Sequence, residues 1–351
     1  MTDTPPPPLP TSPPDPPEPR WSFVIALLTM VATITILDLF FRTTALDAKI
    51  RKSHYITAKG LELATVNADV IVTGDSRMFH GVIPAVMNDT LKEDTGGVFE
   101  TYNFGIPAGT TPIFMMAAHE AVLHRPKPRV FVIGVTPALM SCCDDLVRLS
   151  AAPGIRPSTI PALVRATWWN QPEDAGAAIF LGLFRLQQVR SDVLFAYLNF
   201  TAPPPLRFES MGWNTMGGRV DPDAQNARAV GRATGYANLM DKSKGAFIHP
   251  AAVSYLRSAI RDLQNAGIKV AIIGTPQARQ LDVYHDAKHT YFEYLDALKQ
   301  IAAEAGIPFV DCNTFPGLEN ADFIDGDHLA QDGARKFTQY LAHTVVAPLL
   351  R

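Results

Sequence analysis

The chain of 351 residues carries a net charge of −3 and is 47% hydrophobic. That length accommodates one large domain with an insertion, or two domains. The near-neutral balance excludes a broad basic face for nucleic acid, and neither a Gly-rich phosphate loop nor a zinc-ligand spacing is present, so no cofactor or metal is expected. Three cysteines, the adjacent Cys142 and Cys143 and the distant Cys312, form neither a disulfide framework nor a metal spacing.

Residues 1–20 are mostly proline with Thr, Ser, Asp and Glu. Such a segment cannot bury a core and reads as a disordered tail. Residues 21–42 follow as an apolar run with Trp21 at one end and Phe40-Phe41-Arg42 at the other, long enough to cross a bilayer as a helix. No small-x-small cleavage site follows it, so the run reads as a retained anchor rather than a signal peptide. Flanking charge favours a cytoplasmic C-terminal part, because Arg20 stands alone before the run while Arg42, Lys49, Arg51 and Lys52 follow it. Residues 43–67 read as a helical stalk.

The pattern then alternates. Val70-Ile71-Val72 is a short β-branched strand broken by Gly74-Asp75-Ser76. A second strand is expected over about Phe99–Asn103, a helix over Thr111–Leu123 and a third strand over Arg129–Gly134. After an interruption at 140–248 come a helix at Pro250–Ala266, a strand at Lys269–Gly274, a helix at His289–Ala305, a strand at Pro308–Asp311 and a last helix at Gln331–Leu349. Strands alternating with helices of this length predict an α/β fold: a parallel five-stranded sheet between two helical layers, flavodoxin-like. With strand order 2-1-3-4-5, the ligand site lies at the carboxyl ends of strands one and three, where Ser76 falls. The interruption reads as a mainly helical inserted lid, with helices at Ser158–Trp169 and Ala175–Leu198. Its aromatic residues Trp168, Trp169, Trp213 and Tyr236 serve to pack the lid or to stack on sugar rings. His119 and His124 read as core or surface histidines.

A serine at a strand-to-helix turn is either an ordinary cap residue or a presented hydroxyl beside free backbone N–H groups. Near the other end, Asp325-Gly326-Asp327-His328 offers a base for that hydroxyl and a carboxylate to orient it. Asp325 and Asp327 compete for the orienting role.

Gly74-Asp75-Ser76, the stretch Asn103-Phe104-Gly105-Ile106-Pro107-Ala108-Gly109 and Asp325-x-x-His328, in this order, resemble the SGNH (GDSL-type) hydrolase superfamily. The resemblance covers roughly 68–139 and 249–351, which it marks as the catalytic domain. It implies a Ser76 nucleophile, a His328 base and an Asp325 orienter, with Asp75 and Asp322 structural. It also implies an oxyanion hole from the backbone N–H groups of Ser76 and Gly109. The superfamily's Gly-x-Asn-Asp block is absent; Gly134-Val135-Thr136-Pro137 stands there, with Thr136 as the substitute donor, from its side chain or its backbone. Anchored members lacking that block resemble accessory proteins of alginate O-acetylation and lipoteichoic acid D-alanylation. That likeness implies an inner-membrane protein with a periplasmic domain, opposite to the flanking-charge reading. It would act on a cell-surface polysaccharide or a small acyl ester, beside a multispanning O-acyltransferase.

Overall fold

The computed structural model describes residues 21–107, 111–141, 160–167, 205–216, 248–278 and 290–351, with isolated positions at 227, 228, 230, 231 and 281. The proline-rich tail, Gly109, Cys142, Cys143, the expected helix Ala175–Leu198 and the aromatic residues Trp168, Trp169 and Tyr236 lie outside them. Of the expected lid, only its ends, the helix Ile160–Thr167, the segment 205–216 and positions 227, 228, 230 and 231 are described.

In chain order the elements are α1 (Trp21–Arg42), α2 (Ala45–Ser53), α3 (Tyr55–Leu63), β1 (Val70–Gly74), α4 (Ser76–Gly81), α5 (Pro84–Thr95), β2 (Thr101–Gly105), α6 (Ile113–Leu123), β3 (Val130–Val135), α7 (Pro137–Ser141), α8 (Ile160–Thr167), α9 (Pro250–Asn265), β4 (Lys269–Gly274), α10 (Thr290–Ala305), β5 (Phe309–Asp311), α11 (Gln331–Leu341) and α12 (Ala347–Leu350). Between α11 and α12 the expected single helix passes through a wider π-type turn, Ala342–Val346.

All five strands are parallel, in the order β2-β1-β3-β4-β5. Period-two alternation sends Ile71, Phe131, Ile133 and Ile272 to one face, where α3, α6, α8, α9 and α10 cover them. Val70, Val72, Val132 and Ile273 go to the other face, under α4, α5 and α11. The second strand begins two residues later than expected, because its register is set by β1: Val70 faces Thr101 and Gly74 faces Gly105. The result is the expected three-layer α/β/α architecture.

Helix α1 has a mean hydropathy of 2.4 over Phe23–Arg42 and is almost wholly exposed, so it is long and apolar enough to span a membrane. Near its end Asp38 is buried and pairs with Arg42 at 2.7 Å.

Residues 43–67 are helical but not a free-standing stalk. Ile56 and Leu63 of α3 are buried in the core beside Ile71 and Tyr102, since the apolar residues of α3 recur on one helical face and sit against the sheet. On that face lies Lys59, which is fully buried. Its Nζ donates to the Asn103 carbonyl of β2 at 2.6 Å and to the Gly212 carbonyl at 2.5 Å. It also lies 4.4 Å from the Phe79 ring centroid and 5.1 Å from that of Phe208. The same 205–216 segment runs beside β2, with Met211 accepting from Asn103 N–H at 2.9 Å and Trp213 buried. Trp213 therefore packs, and its indole donates to the His80 carbonyl. Thr101 N–H is met by the Asn88 side chain at 2.9 Å and Gly105 N–H by the Asn103 side chain at 2.8 Å.

Desolvation holds the Lys59 amine well below its ordinary pKa, against the opposing charge of Glu62. A depressed lysine penalises folding fully below its folded pKa, and the penalty fades as pH rises toward the unfolded value of 10.5. Urea unfolding of wild type and Lys59→Met between pH 7 and 10 should therefore show the difference moving in favour of wild type as pH rises. A pH-independent difference would mean that Lys59 is not depressed.

Candidate active site

The turn after β1 is built for close packing. Asp75 caps α4, its carboxylate accepting the Arg77 N–H at 3.0 Å. Ser76 is the first helical residue. The short helix lies across three strand ends, and each has a glycine under it. A Cβ on Gly74 or Gly134 would come within 2.4 Å or 2.2 Å of Met78 Cγ, and one on Gly105 within 2.4 Å of the Phe79 backbone nitrogen. Asn103 fastens α4 from below, its amide nitrogen donating to the carbonyls of Met78, Phe79 and Val82.

The second half of the site is a closed loop between β5 and α11. Phe323 pairs with Leu329 in an antiparallel bridge, and Ile324 N–H donates to the His328 carbonyl at 2.8 Å. Inside the loop, Asp325 Oδ1 accepts the backbone N–H groups of Asp327 at 3.1 Å and His328 at 2.8 Å. Ala278 N–H anchors the loop through the Gly326 carbonyl. Asp325, Asp327 and His328 are all buried, while Ser76 is half-buried.

The two halves meet. His328 Nε2 lies 2.7 Å from Ser76 Oγ, and His328 Nδ1 lies 2.9 Å from Asp325 Oδ2. Asp327 Oδ1 is also 3.1 Å from Nδ1, so both competing carboxylates reach the ring. Their roles divide at the far side. Asp327 Oδ2 pairs with Arg77 Nη2 at 3.2 Å, both side chains being buried, and Arg77 Nη1 reaches the Thr275 hydroxyl at 3.4 Å. Burial works against charge on the imidazole, but the hydrogen bonds to Asp325 and Asp327 and their charges outweigh it and carry the His328 pKa up to about 9. The ring therefore holds a proton at neutral pH and becomes a base on the alkaline side.

The other expected residues fall as follows. Thr136 does not serve as an oxyanion donor through its side chain: its hydroxyl donates to Asp75 Oδ2 at 2.9 Å and accepts Leu139 N–H at 3.3 Å. It sits behind the cap carboxylate and braces it. Burial raises the Asp75 pKa, against the pull of Arg77. Asp322 accepts from Lys336 at 2.9 Å and closes the turn at Glu319. His119 and His124 lie at the carboxyl end of α6, by the opposite end of the sheet from Ser76.

Three side chains around the site are not singled out by sequence reasoning: Arg77, Lys59 and His80. The first could have been found from its place, directly after Ser76, with opposite charge to the Asp327 that precedes His328. Asp325, Asp327 and His328 offer ligand atoms within 4.8 Å of one another. A cation on Nδ1 would displace its hydrogen bond to Asp325, and Arg77 already counters the charge of Asp327, so the cluster fits an imidazolium better than a metal.

The sequence profile of an uncharacterised protein family matches residues 234–350, a third of the chain that holds Asp325 and His328 but not Ser76. No curated protein matches the chain.

Proposed function

We propose that the chain is a membrane-anchored serine acyltransferase or esterase of the SGNH type. The observation that carries this reading is the alignment of Ser76 Oγ, His328 and Asp325 at 2.7 and 2.9 Å on the carboxyl ends of a parallel sheet. In this mechanism His328 takes the Ser76 proton as the hydroxyl attacks an acyl carbonyl. Asp325 holds Nδ1 and stabilises the imidazolium. The leaving group departs with the proton from Nε2, and Ser76 is left as an ester. A hydroxyl of a cell-surface polysaccharide then takes the acyl group. The sequence resemblance adds Gly109 N–H to that of Ser76 as oxyanion donors. It also adds a multispanning O-acyltransferase as source of the acyl group, and a periplasmic position on the inner membrane. A scaffold without chemistry would not need Ser76 and His328 in hydrogen-bond contact.

The full chain in detergent micelles should react with a serine-directed fluorophosphonate and hydrolyse a small aryl acetate at alkaline pH. Ser76→Ala and His328→Ala should each abolish labelling and lower turnover by at least roughly a thousandfold. A folded wild type that takes no label would turn the reading toward a site that does no chemistry alone.

A further inference from the structure

His80 is one turn beyond Ser76 on α4, and a residue four positions on lies over the turn before it. Its ring stands 6.1 Å from the His328 ring, centroid to centroid, at 75°. Two imidazoles thus flank Ser76, and only one belongs to the triad.

The tautomer of His80 follows from its partner. Nδ1 is 3.0 Å from the Asn214 carbonyl. A carbonyl only accepts, so Nδ1 carries the proton and Nε2 of the neutral ring is a bare acceptor. The ring is half-buried and stands beside the His328 ring, at the edge of the site. Burial, aided by the charges of His328 and Lys59 and opposed by the hydrogen bond to Asn214, holds the His80 pKa below its ordinary value.

The holder is itself held. Asn214 belongs to the segment whose Gly212 carbonyl is gripped by Lys59, and Trp213 donates to the His80 carbonyl at 3.2 Å. Gly212 has φ +78°, and a Cβ there would come within 2.3 Å of the Asn103 carbonyl. The Asn214 carbonyl is therefore a fixed group, and so is the orientation of His80.

We propose that His80 recognises the acyl acceptor, and that the acceptor carries two adjacent hydroxyls, as on a sugar ring. The inference rests on the acyl-transfer reading and narrows its substrate. In deacylation one hydroxyl attacks the Ser76 ester. Its O–H proton passes to His328 Nε2, a new acceptor O–C bond forms, and the Ser76 Oγ–C bond breaks. The proton then returns to Ser76 Oγ. The neighbouring hydroxyl donates a hydrogen bond to His80 Nε2 and transfers nothing. A mono-alcohol can attack but leaves His80 unmet, which is how the site tells the two apart.

The test uses the full chain in detergent micelles with an aryl acetate as donor. The burst of released phenol reports formation of the acyl-enzyme. Partition of that acyl group between added ethylene glycol and added methanol reports the acceptor. Wild type should favour the diol, and His80→Phe should lower the diol-to-methanol ratio by about fivefold, the worth of one neutral hydrogen bond. His80→Gln, which keeps an acceptor, should restore part of it. An unchanged ratio in His80→Phe overturns the inference. Absence in wild type of both ester turnover and fluorophosphonate labelling overturns the acyl-transfer reading instead, so the two failures are distinct. Nitrogen-15 NMR of wild type needs no variant: His80 should show an unprotonated Nε2 whose resonance moves on adding the diol. A protonated Nε2, or one that ignores the diol, also overturns it.

Discussion

Asp325→Asn should lower kcat/KM for an aryl ester by roughly 10^4-fold, because an amide at that place stabilises the wrong imidazole tautomer. Asp327→Asn should behave differently. With the His328 pKa near 9, about 1% of the protein would hold a neutral His328 at pH 7. In wild type kcat/KM should therefore climb about tenfold per pH unit up to about 9 and then level off. Asp327 contributes to that elevation through its hydrogen bond and its charge. Its removal should slide the alkaline limb to lower pH. The sign for stability is opposite to that for activity. A histidine raised on folding contributes stability that is complete below about 6.5 and lost as pH rises through about 9. Asp327→Asn also takes one charged partner from the buried Arg77, at a cost of up to about 3 kcal/mol, so both profiles belong well below the unfolding temperature. A wild-type profile flat from pH 6 to 9 would remove His328 as a raised base. A limb unmoved in Asp327→Asn would reduce that carboxylate to a partner of Arg77.

The second large effect is expected from a methyl group. Gly105→Ala places a Cβ 2.4 Å from the Phe79 nitrogen and 2.7 Å from its Cα. Backbone cannot rotate aside, so α4 must lift. Overpacking of this kind costs about 3 kcal/mol, and a chain of this size should then melt several degrees lower, about 2–4 °C per kcal/mol. Lifting α4 also carries Ser76 away from His328, so fluorophosphonate labelling should fall even at temperatures where the variant is folded. Gly134→Ala is the control. The three atoms nearest its Cβ are Met78 Cγ, Sδ and Cε, a side chain that can repack where backbone cannot, so it should cost stability but disturb the label less. Equal losses in the two variants would show that the obstacle is not the helix backbone.

Much of this site is legible in the sequence because it rests on local rules. The β-branched run before Gly74 fixes β1, and the alternation of strands and helices fixes the sheet. Ser76 and the Asp325–His328 loop then fall at its carboxyl edge. What local rules miss is contact across long separations. Arg77 meets Asp327 over 250 positions, and Lys59 meets Gly212 over 153. A lysine in a short helix reads as solvated, so α3 is taken for a stalk until its neighbours Ile56 and Leu63 are seen inside. Thr136 shows the reverse case for its side chain. A hydroxyl in the right loop invites a catalytic role, and only the structure shows its proton given to Asp75.

Strand β2 is the outer strand beside the site, and a parallel strand at the rim of a sheet ordinarily shows every second N–H to passing chains. Here the outward groups are Thr101, Asn103 and Gly105, met by the Asn88 side chain, the Met211 carbonyl and the Asn103 side chain. The Asn103 carbonyl is taken by Lys59. The same bonds that fix the wall of the site thus cover the outward N–H groups of that rim, so an extended segment of another molecule finds no free donor there to pair with as a sixth strand. The domain is thereby guarded against edge-to-edge aggregation along the strand that borders the Ser76 turn.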